Sequence, residues 1–273
     1  MHGPRLGRAD SVAHVPGAYD DDLALALRMA DQADAMTLAS FRRDDLAIET
    51  KPDLTPVTEA DRGVERMVRE TLAQERPNDP VLGEEYGGTD AGGRRWIVDP
   101  IDGTKNFVRG VPVWATLIAL AIDDDVVVGV VAAPALGRRW WAAKGSGAWT
   151  RGPEDSADRR CRVSAVRDLS DASFSFSDGV AWPPGSLERM MDSTWRTRGY
   201  GDFWSHMLVA EGHVDIAAEP ELDIWDLAAL VPVVEEAGGT ITPFSGDSGI
   251  LSGAGAVSTN GLLHEAASRI ICP

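Results

Sequence analysis

The chain has 273 residues and a mass of 29.2 kDa, enough to bury a substantial core as one large domain or two closely packed halves. Hydrophobic residues at 44% and charged ones at 25% are ordinary for a soluble globular protein, whereas a formal net charge of -17 is not. Such acidity repels nucleic acid and anionic membranes, and the arginine pairs beginning at 42, 94, 138 and 159 are scattered among acids instead of forming a basic stripe.

Cys161 and Cys272 show no metal, redox or secreted-disulfide spacing. The N-terminus lacks an apolar signal core, and the longest apolar run, Val111 to Ile122, falls short of the roughly 20 residues that a membrane span needs. A cytoplasmic enzyme or binding protein is the expected class, with neither nucleic acid nor membrane as partner.

Residues 1–18 mix Gly, Pro, Arg and His without periodicity and read as a flexible leader. Asp20 to Phe41 is expected to be a helix, with Leu23, Leu27 and Ala30 on one face and acids crowding its first turn, where the helix dipole favours them. A loop follows through Lys51, Pro52 and Pro56. Thr58 and Asp61 form a T-x-x-D start signal for a second helix, whose Val64, Met67, Val68 and Leu72 make an apolar stripe. Val81-Leu82 is a short strand leading to Gly83-Glu84-Glu85.

Trp96 to Phe107, reading W-I-V-D-P-I-D-G-T-K-N-F, opens as an apolar strand and ends in a turn. Strands at 113–122, 126–133 and 138–143 continue it as a meander. The polar stretch Arg151 to Arg159 is the expected boundary between an N-terminal half, 19–152, and a C-terminal half, 153–273. That second half is expected to contain strands at 160–164, 172–176, 195–198, 214–218 and 254–258. Its helices are expected at 186–192, 203–211, 225–237 and 262–270, with Pro232 kinking the third. Helices and strands interleave throughout, which fits an α/β or α+β layered fold. No internal repeat, heptad run or low-complexity tract interrupts them.

Chemistry concentrates at the turn after Trp96. Pro100 fixes its own φ and Gly103 tolerates positive φ, so the path between Asp99 and Asp102 is held bent, with Thr104 just beyond. Two readings stand: the centre of a Mg²⁺ site, since hard cations take a few carboxylates plus water and phosphate, or an ordinary Asp/Pro/Gly turn. Glu84 either shares that cation or belongs to an exposed acidic loop. Asp226 either caps the helix it begins or joins the same cluster; Asp61 is either a capping-box acid or a base. A helix start after Gly103 would offer N–H groups to a phosphate. No rival mechanism is supported: His206 and His213 have no metal-binding partner pattern, and there is no G-x-S-x-G elbow or Walker loop.

Taken in order, G-E-E at Gly83 to Glu85, W-I-V-D-P-I-D-G-T-K-N-F, W-D-L-A-A at Trp225 to Ala229 and E-A-G-G at Glu236 to Gly239 resemble the inositol monophosphatase superfamily over about residues 20 to 270. Within it, V-R-G-V-P-V-W-A-T-L-I-A-L, A-P-A-L-G-R-R-W-W-A-A-K-G-S-G-A and R-G-Y-G-D-F are most similar to histidinol-phosphate phosphatases of the actinobacterial type. The resemblance implies an α-β-α-β-α layered sandwich, a homodimer and two to three Mg²⁺ ions per site, with Mn²⁺ as a substitute.

By motif position, Glu84, Asp99 and the Ile101 carbonyl would hold one ion, and Asp99, Asp102 and Asp226 a second; a third would lean on Glu84 through waters. Thr104 and Asp61 would orient and deprotonate the attacking water, with Lys51 nearby, and the Gly103 and Thr104 N–H groups would bind phosphate. Asp202 after Gly201, and Glu219 ahead of the W-D helix, would face the leaving group. Two carboxylates there suit the ammonium of histidinol better than a neutral polyol, although Asp202 also reads as a helix cap. The expected activity is a Mg²⁺-dependent phosphomonoesterase acting on L-histidinol phosphate in histidine biosynthesis. The alternatives are inositol 1-phosphate or a broad set of sugar and nucleotide phosphates, and, from a different class, a non-catalytic metal-binding or regulatory protein on the same fold.

Overall fold

A computed structural model describes residues 17–43, 48–50, 56–88, 92–244 and 249–272; nearly all of the expected leader lies outside them. The elements run α1 (Asp20–Ser40), β1 (Ile48–Thr50), β2 (Pro56–Thr58), α2 (Glu59–Glu75), β3 (Val81–Gly83), β4 (Arg94–Asp102), α3 (Thr104–Val108), β5 (Ala115–Ile122), β6 (Asp125–Ala133), β7 (Arg138–Ala143), β8 (Gly147–Arg151) and β9 (Arg159–Arg160). They continue with β10 (Ser173–Ser175), α4 (Ser186–Ser193), β11 (Arg196–Arg198), α5 (Asp202–Ala210), β12 (Ile216–Glu219), α6 (Ile224–Ala228), α7 (Leu230–Glu236), β13 (Thr240–Pro243), β14 (Ala256–Thr259) and α8 (His264–Ile271).

One sheet has the order β3-β4-β5-β6-β7-β8-β9, with β3 and β4 parallel and the remaining pairs antiparallel. Its strands are apolar on both faces because both faces are covered. Alternation along β4 sends Trp96 and Val98 to one side, where Leu25 and Met29 of α1 and Val68 and Leu72 of α2 meet them. Ile97 and Leu117 point the other way, into the layer formed with Phe203 and Met207 of α5, Leu227 of α6 and Leu230 and Val234 of α7.

The second sheet, in the order β11-β10-β12-β14-β13, lies beyond that helical layer. Phe174, Ile216 and Val257 on its outer face pack against Met190 of α4 and Ala267 and Ile271 of α8. The layers are therefore helix, sheet, helix, sheet, helix, the expected α-β-α-β-α sandwich.

Several local expectations are corrected. Leu25 and Met29 form the buried face of α1, while Leu23 and Leu27 pack at its margin, because the sheet lies under a face rotated from the one expected. The strand expected over 160–164 is only Arg159–Arg160, and it pairs with β8 in the first sheet. The helix expected over 225–237 is two, α6 and α7, meeting at Ala229. Pro232 has no N–H to offer the carbonyl four residues back, which weakens the ladder at that junction. A Cβ on Gly129 would stand 2.3 Å from the Ala229 oxygen and 2.6 Å from Pro232 Cγ, so the absence of a side chain on β6 lets this junction seat directly against the sheet. β13 was not expected at all.

Candidate active site

Asp99 and Asp102 lie at the end of β4, where its register with β5 shifts. Pro100 explains the shift, since a proline inside a central strand cannot donate to the ladder and is accommodated at a bulge. Its carbonyl is instead taken up by the Thr116 hydroxyl at 2.8 Å. Asp99 Oδ1 accepts the Ile101 N–H at 2.9 Å, closing the bend, and Thr104 donates its hydroxyl to the Ile101 carbonyl at 2.9 Å. Gly103, with φ of 81°, turns the chain from β4 into α3 in the left-handed conformation that glycine adopts without strain.

Asp226 reaches the same place from α6. One carboxylate oxygen from each of Asp99, Asp102 and Asp226 lies within 4.8 Å of the other two. Asp102 is fixed from a fourth direction by the Phe203 N–H, 3.0 Å from its Oδ2. The Glu84 carboxylate stands near enough for its charge to raise the pKa of both Asp99 and Asp226.

Electrostatics marks these groups as wanting a counter-charge. Burial first, then the charges of Glu84, Asp102 and Asp226, lifts Asp99 well above the usual carboxylate range; burial, then Asp202 and Asp226, does the same to Asp102. Burial pushes Asp226 up to about 7. Buried carboxylates this close hold protons or a cation, and an all-oxygen donor set is what Mg²⁺ or Mn²⁺ accepts, so the residues fit a divalent ion.

The helices α2 and α6, which supply Asp61 and Asp226, start with the same device. Asp226 Oδ2 accepts the Asp223 N–H at 2.8 Å, and Asp61 Oδ2 accepts the Thr58 N–H at 2.8 Å and its hydroxyl at 2.5 Å. Capping and membership of the acidic cluster are thus not exclusive for Asp226. Asp61 is fully buried, and its other oxygen, Oδ1, has no hydrogen-bond partner among the described residues. Its hydrogen bonds go to Thr58, and among the described residues none joins it to Thr104. Burial, more than the nearby Glu85 and Glu84, raises it to about 6. Lys51 lies outside the described residues.

A cavity of about 720 Å³ opens over the cluster, lined among others by Glu84, Asp102, Gly103, Thr104, Lys105, Tyr200, Gly201, Asp202, Glu219, Trp225 and Asp226. Gly201, with φ of 83°, is the N-cap of α5, and Asp202, with φ of 48°, is the first residue inside the helix and not its cap. The helix-cap reading of Asp202 is therefore corrected. Its Oδ2 accepts from Asn106 Nδ2 at 3.0 Å, and burial, with Glu219 adding to it, raises it to about 6 against the pull of Lys105. Glu219 is only 6% exposed, and its Oε1 has no hydrogen-bond partner among the described residues; His206 Nε2 stands 3.5 Å away.

The sequence reading missed Asn106, Lys105, Ser177 and Tyr200 as cavity groups, and treated His206 only as a failed metal ligand. Asn106 and Lys105 sat inside the quoted motif, where position alone made them candidates. Ser177, which accepts the Asp202 N–H at 2.5 Å, carried no local signal.

Comparison with known proteins agrees over nearly the whole chain. The model of the inositol monophosphatase family matches residues 19–272. A histidinol-phosphatase from Mycobacterium tuberculosis is 59% identical over 250 residues, covering 90% of this chain and 95% of that protein. One from Streptomyces coelicolor is 54% identical over 255 residues, with the same coverage of 90% and 95%. Among solved structures, the IMPase of Thermotoga maritima superposes with a TM-score of 0.82 at 32% identity, covering 92% of this chain and 96% of the other.

Proposed function

The chain belongs to the inositol monophosphatase family, and from that premise we propose that it is a Mg²⁺-dependent phosphatase that releases phosphate from L-histidinol phosphate. Two relatives above half identity, both named histidinol-phosphatase, support the choice. One observation carries it within the molecule: among the described residues, the cavity beside Asp99 is walled by Glu84, Asp102, Asp178, Asp202, Glu219, Glu221, Asp223 and Asp226 with Lys105 as the one cation among them. Such a wall repels a phosphate monoester unless divalent cations neutralise the inner acids, and its remaining acids welcome a positively charged alcohol.

In this reading Glu84, Asp99, Asp102, Asp226 and the Ile101 carbonyl would hold two to three ions, Mg²⁺ or in its place Mn²⁺, which would supply the positive charge that phosphoryl transfer to water needs. The protein's own groups do the rest. Gly103 and Thr104 turn first-turn N–H groups of α3, which have no partner within the helix, toward the phosphate oxygens. Thr104, anchored on the Ile101 carbonyl, orients the attacking water, and Asp61 takes its proton. A carboxylate lifted to about 6 is a stronger base than an ordinary aspartate and is still mostly ionised at neutral pH. The family resemblance adds Lys51 to this step. Asp202 and Glu219, with Gly201 shaping the approach, bind the ammonium of the departing histidinol.

A second reading keeps the chemistry and changes the alcohol to inositol or a range of sugar and nucleotide alcohols. A Thermotoga maritima relative named fructose-1,6-bisphosphatase/inositol-1-monophosphatase, 35% identical over 216 residues, favours it. Purified protein assayed side by side decides: a higher kcat/KM for histidinol phosphate is expected, and a higher value for inositol 1-phosphate overturns the first reading. A homodimer and a cytoplasmic location complete the proposal. Among the described residues no helix is long and apolar enough to cross a membrane.

A further inference from the structure

Glu65 lies on α2 one turn beyond Asp61, in the stripe where Val64, Val68 and Leu72 are buried, and it is itself fully buried. A charged side chain at that place needs partners, and it has them. Its carboxylate accepts the backbone N–H of Glu85 at 2.7 Å and of Tyr86 at 3.2 Å, and Arg69 Nε donates to it at 2.9 Å. Arg69 also donates to the Gly87 carbonyl, so the pair grips the 85–87 turn by its donors and its acceptor together.

Gly83 completes the fit. A Cβ there would fall 2.1 Å from Glu65 Oε1, so the strand end can approach the carboxylate only as glycine. Between these fixed points stands Glu84, whose N–H donates to the Val98 carbonyl at 3.3 Å, one residue before Asp99, and which lines the cavity with Asp102 and Asp226. A leucine at 65 would fill the same space but leave the Glu85 and Tyr86 N–H groups without their acceptor, and the turn would move to find water.

We propose that Glu65 is the positioning residue that holds the Glu84 carboxylate beside Asp99, so that its removal changes divalent-metal affinity. This rests on the reading of Glu84 as a metal ligand. Groups that orient metal ligands are typically worth about 10- to 100-fold in affinity, which sets the size of the effect.

The test is a Mn²⁺ titration of the full chain without substrate, followed by the electron paramagnetic resonance of free Mn²⁺. Wild type, Glu65→Gln, Glu65→Asp, Glu84→Gln and the Glu65→Gln/Glu84→Gln double variant are compared, with thermal unfolding in chelator measured alongside. Glu65→Gln keeps shape and one acceptor oxygen; Glu65→Asp keeps charge and withdraws the carboxylate, so one of them reads out even if the other folds poorly. Expected is about tenfold weaker Mn²⁺ binding in either Glu65 variant, and a double variant no weaker than Glu84→Gln alone, because both act through one ligand. Unchanged affinity in the folded Glu65 variants, or additive losses in the double, overturns the proposal. If Glu84→Gln itself binds Mn²⁺ as wild type does, the ligand assignment of Glu84 fails, and the positioning role fails with it; Glu84→Gln weakened with Glu65 variants unchanged removes the positioning role alone.

Discussion

Asn106 and Asp202, separated by 96 positions, are joined by a hydrogen bond of 3.0 Å from Nδ2 to Oδ2 inside the cavity. The same amide group of Asn106 donates to the Val113 carbonyl at 2.9 Å, so the carboxylate is held by a group that is itself fixed. That bond ties α3 to the start of α5, which in the proposed function face the phosphate and the leaving group respectively. Asn106→Ala is expected to lower kcat/KM for histidinol phosphate by about tenfold, ~1.4 kcal/mol, near the low end for a hydrogen bond to a charged group. Asp202→Asn should lose histidinol phosphate preferentially and retain a generic aryl phosphate. Steady-state kinetics on both substrates check this, and equal losses on the two would count against Asp202 as the reader of the amine.

Stability without metal should depend on pH with a defined sign. Burial raises Asp61 to about 6 and Asp226 to about 7 from an ordinary 3.8, and raises Asp99 and Asp102 as well. A raised acid pKa means that the folded chain binds more protons than the unfolded one between the two values, so stability falls as pH climbs from near 4 through about 7. Thermal unfolding in chelator is expected at higher temperature at about pH 5 than at about pH 7.5, with Mg²⁺ recovering much of the difference at the higher pH. A melting temperature that stays flat across that window would contradict the assignment.

Thr58→Ala separates two roles of one hydroxyl. It removes the N-cap of α2, which costs about 1 kcal/mol, and it removes a hydrogen bond that holds the Asp61 pKa down. Asp61 then titrates higher, and if it is the base, the acidic limb of the pH–rate profile moves to higher pH. A loss of stability with an unmoved limb would assign the proton to another group.

Gly129→Ala tests how the acids are brought together. The added Cβ meets the Ala229 carbonyl and Pro232, and overpacking of this kind typically costs about 1–3 kcal/mol. Because α6 carries Asp226 and ends at that junction, Mn²⁺ affinity should fall along with the melting temperature. Reduced stability with unchanged affinity would show that the junction bears only on packing.

What could be read without the fold was what the chain writes locally. The capping box of Thr58 and Asp61, the limits of α1 and α2 and the strands from 115 to 143 follow from propensity, period and turn chemistry within a few residues. Thr240–Pro243 escaped because it is short, follows Gly238-Gly239 and ends in proline, which a strand tolerates at the edge of a sheet. The split of 225–237 was half visible: Pro232 announced a disturbance, but its place at Ala229 depends on contact with Gly129. Glu65 did leave a trace, as an acid in an apolar stripe. Its partners in the 85–87 turn did not.

By itself, the sequence determined the interleaved α/β class and the bend that sets Asp99 beside Asp102, because these rest on periodicity and on backbone limits imposed by Pro100 and Gly103; the set of acids from Glu84 to Asp226 was legible only through the family resemblance. Only the tertiary structure decided that Asp226 comes within 4.8 Å of that bend, that Asn106 grips Asp202, and that Glu65 buttresses the Glu84 turn. Those meetings join groups tens of residues apart, and their geometry is fixed by how α2, α5 and α6 pack on the sheets, which no local pattern encodes.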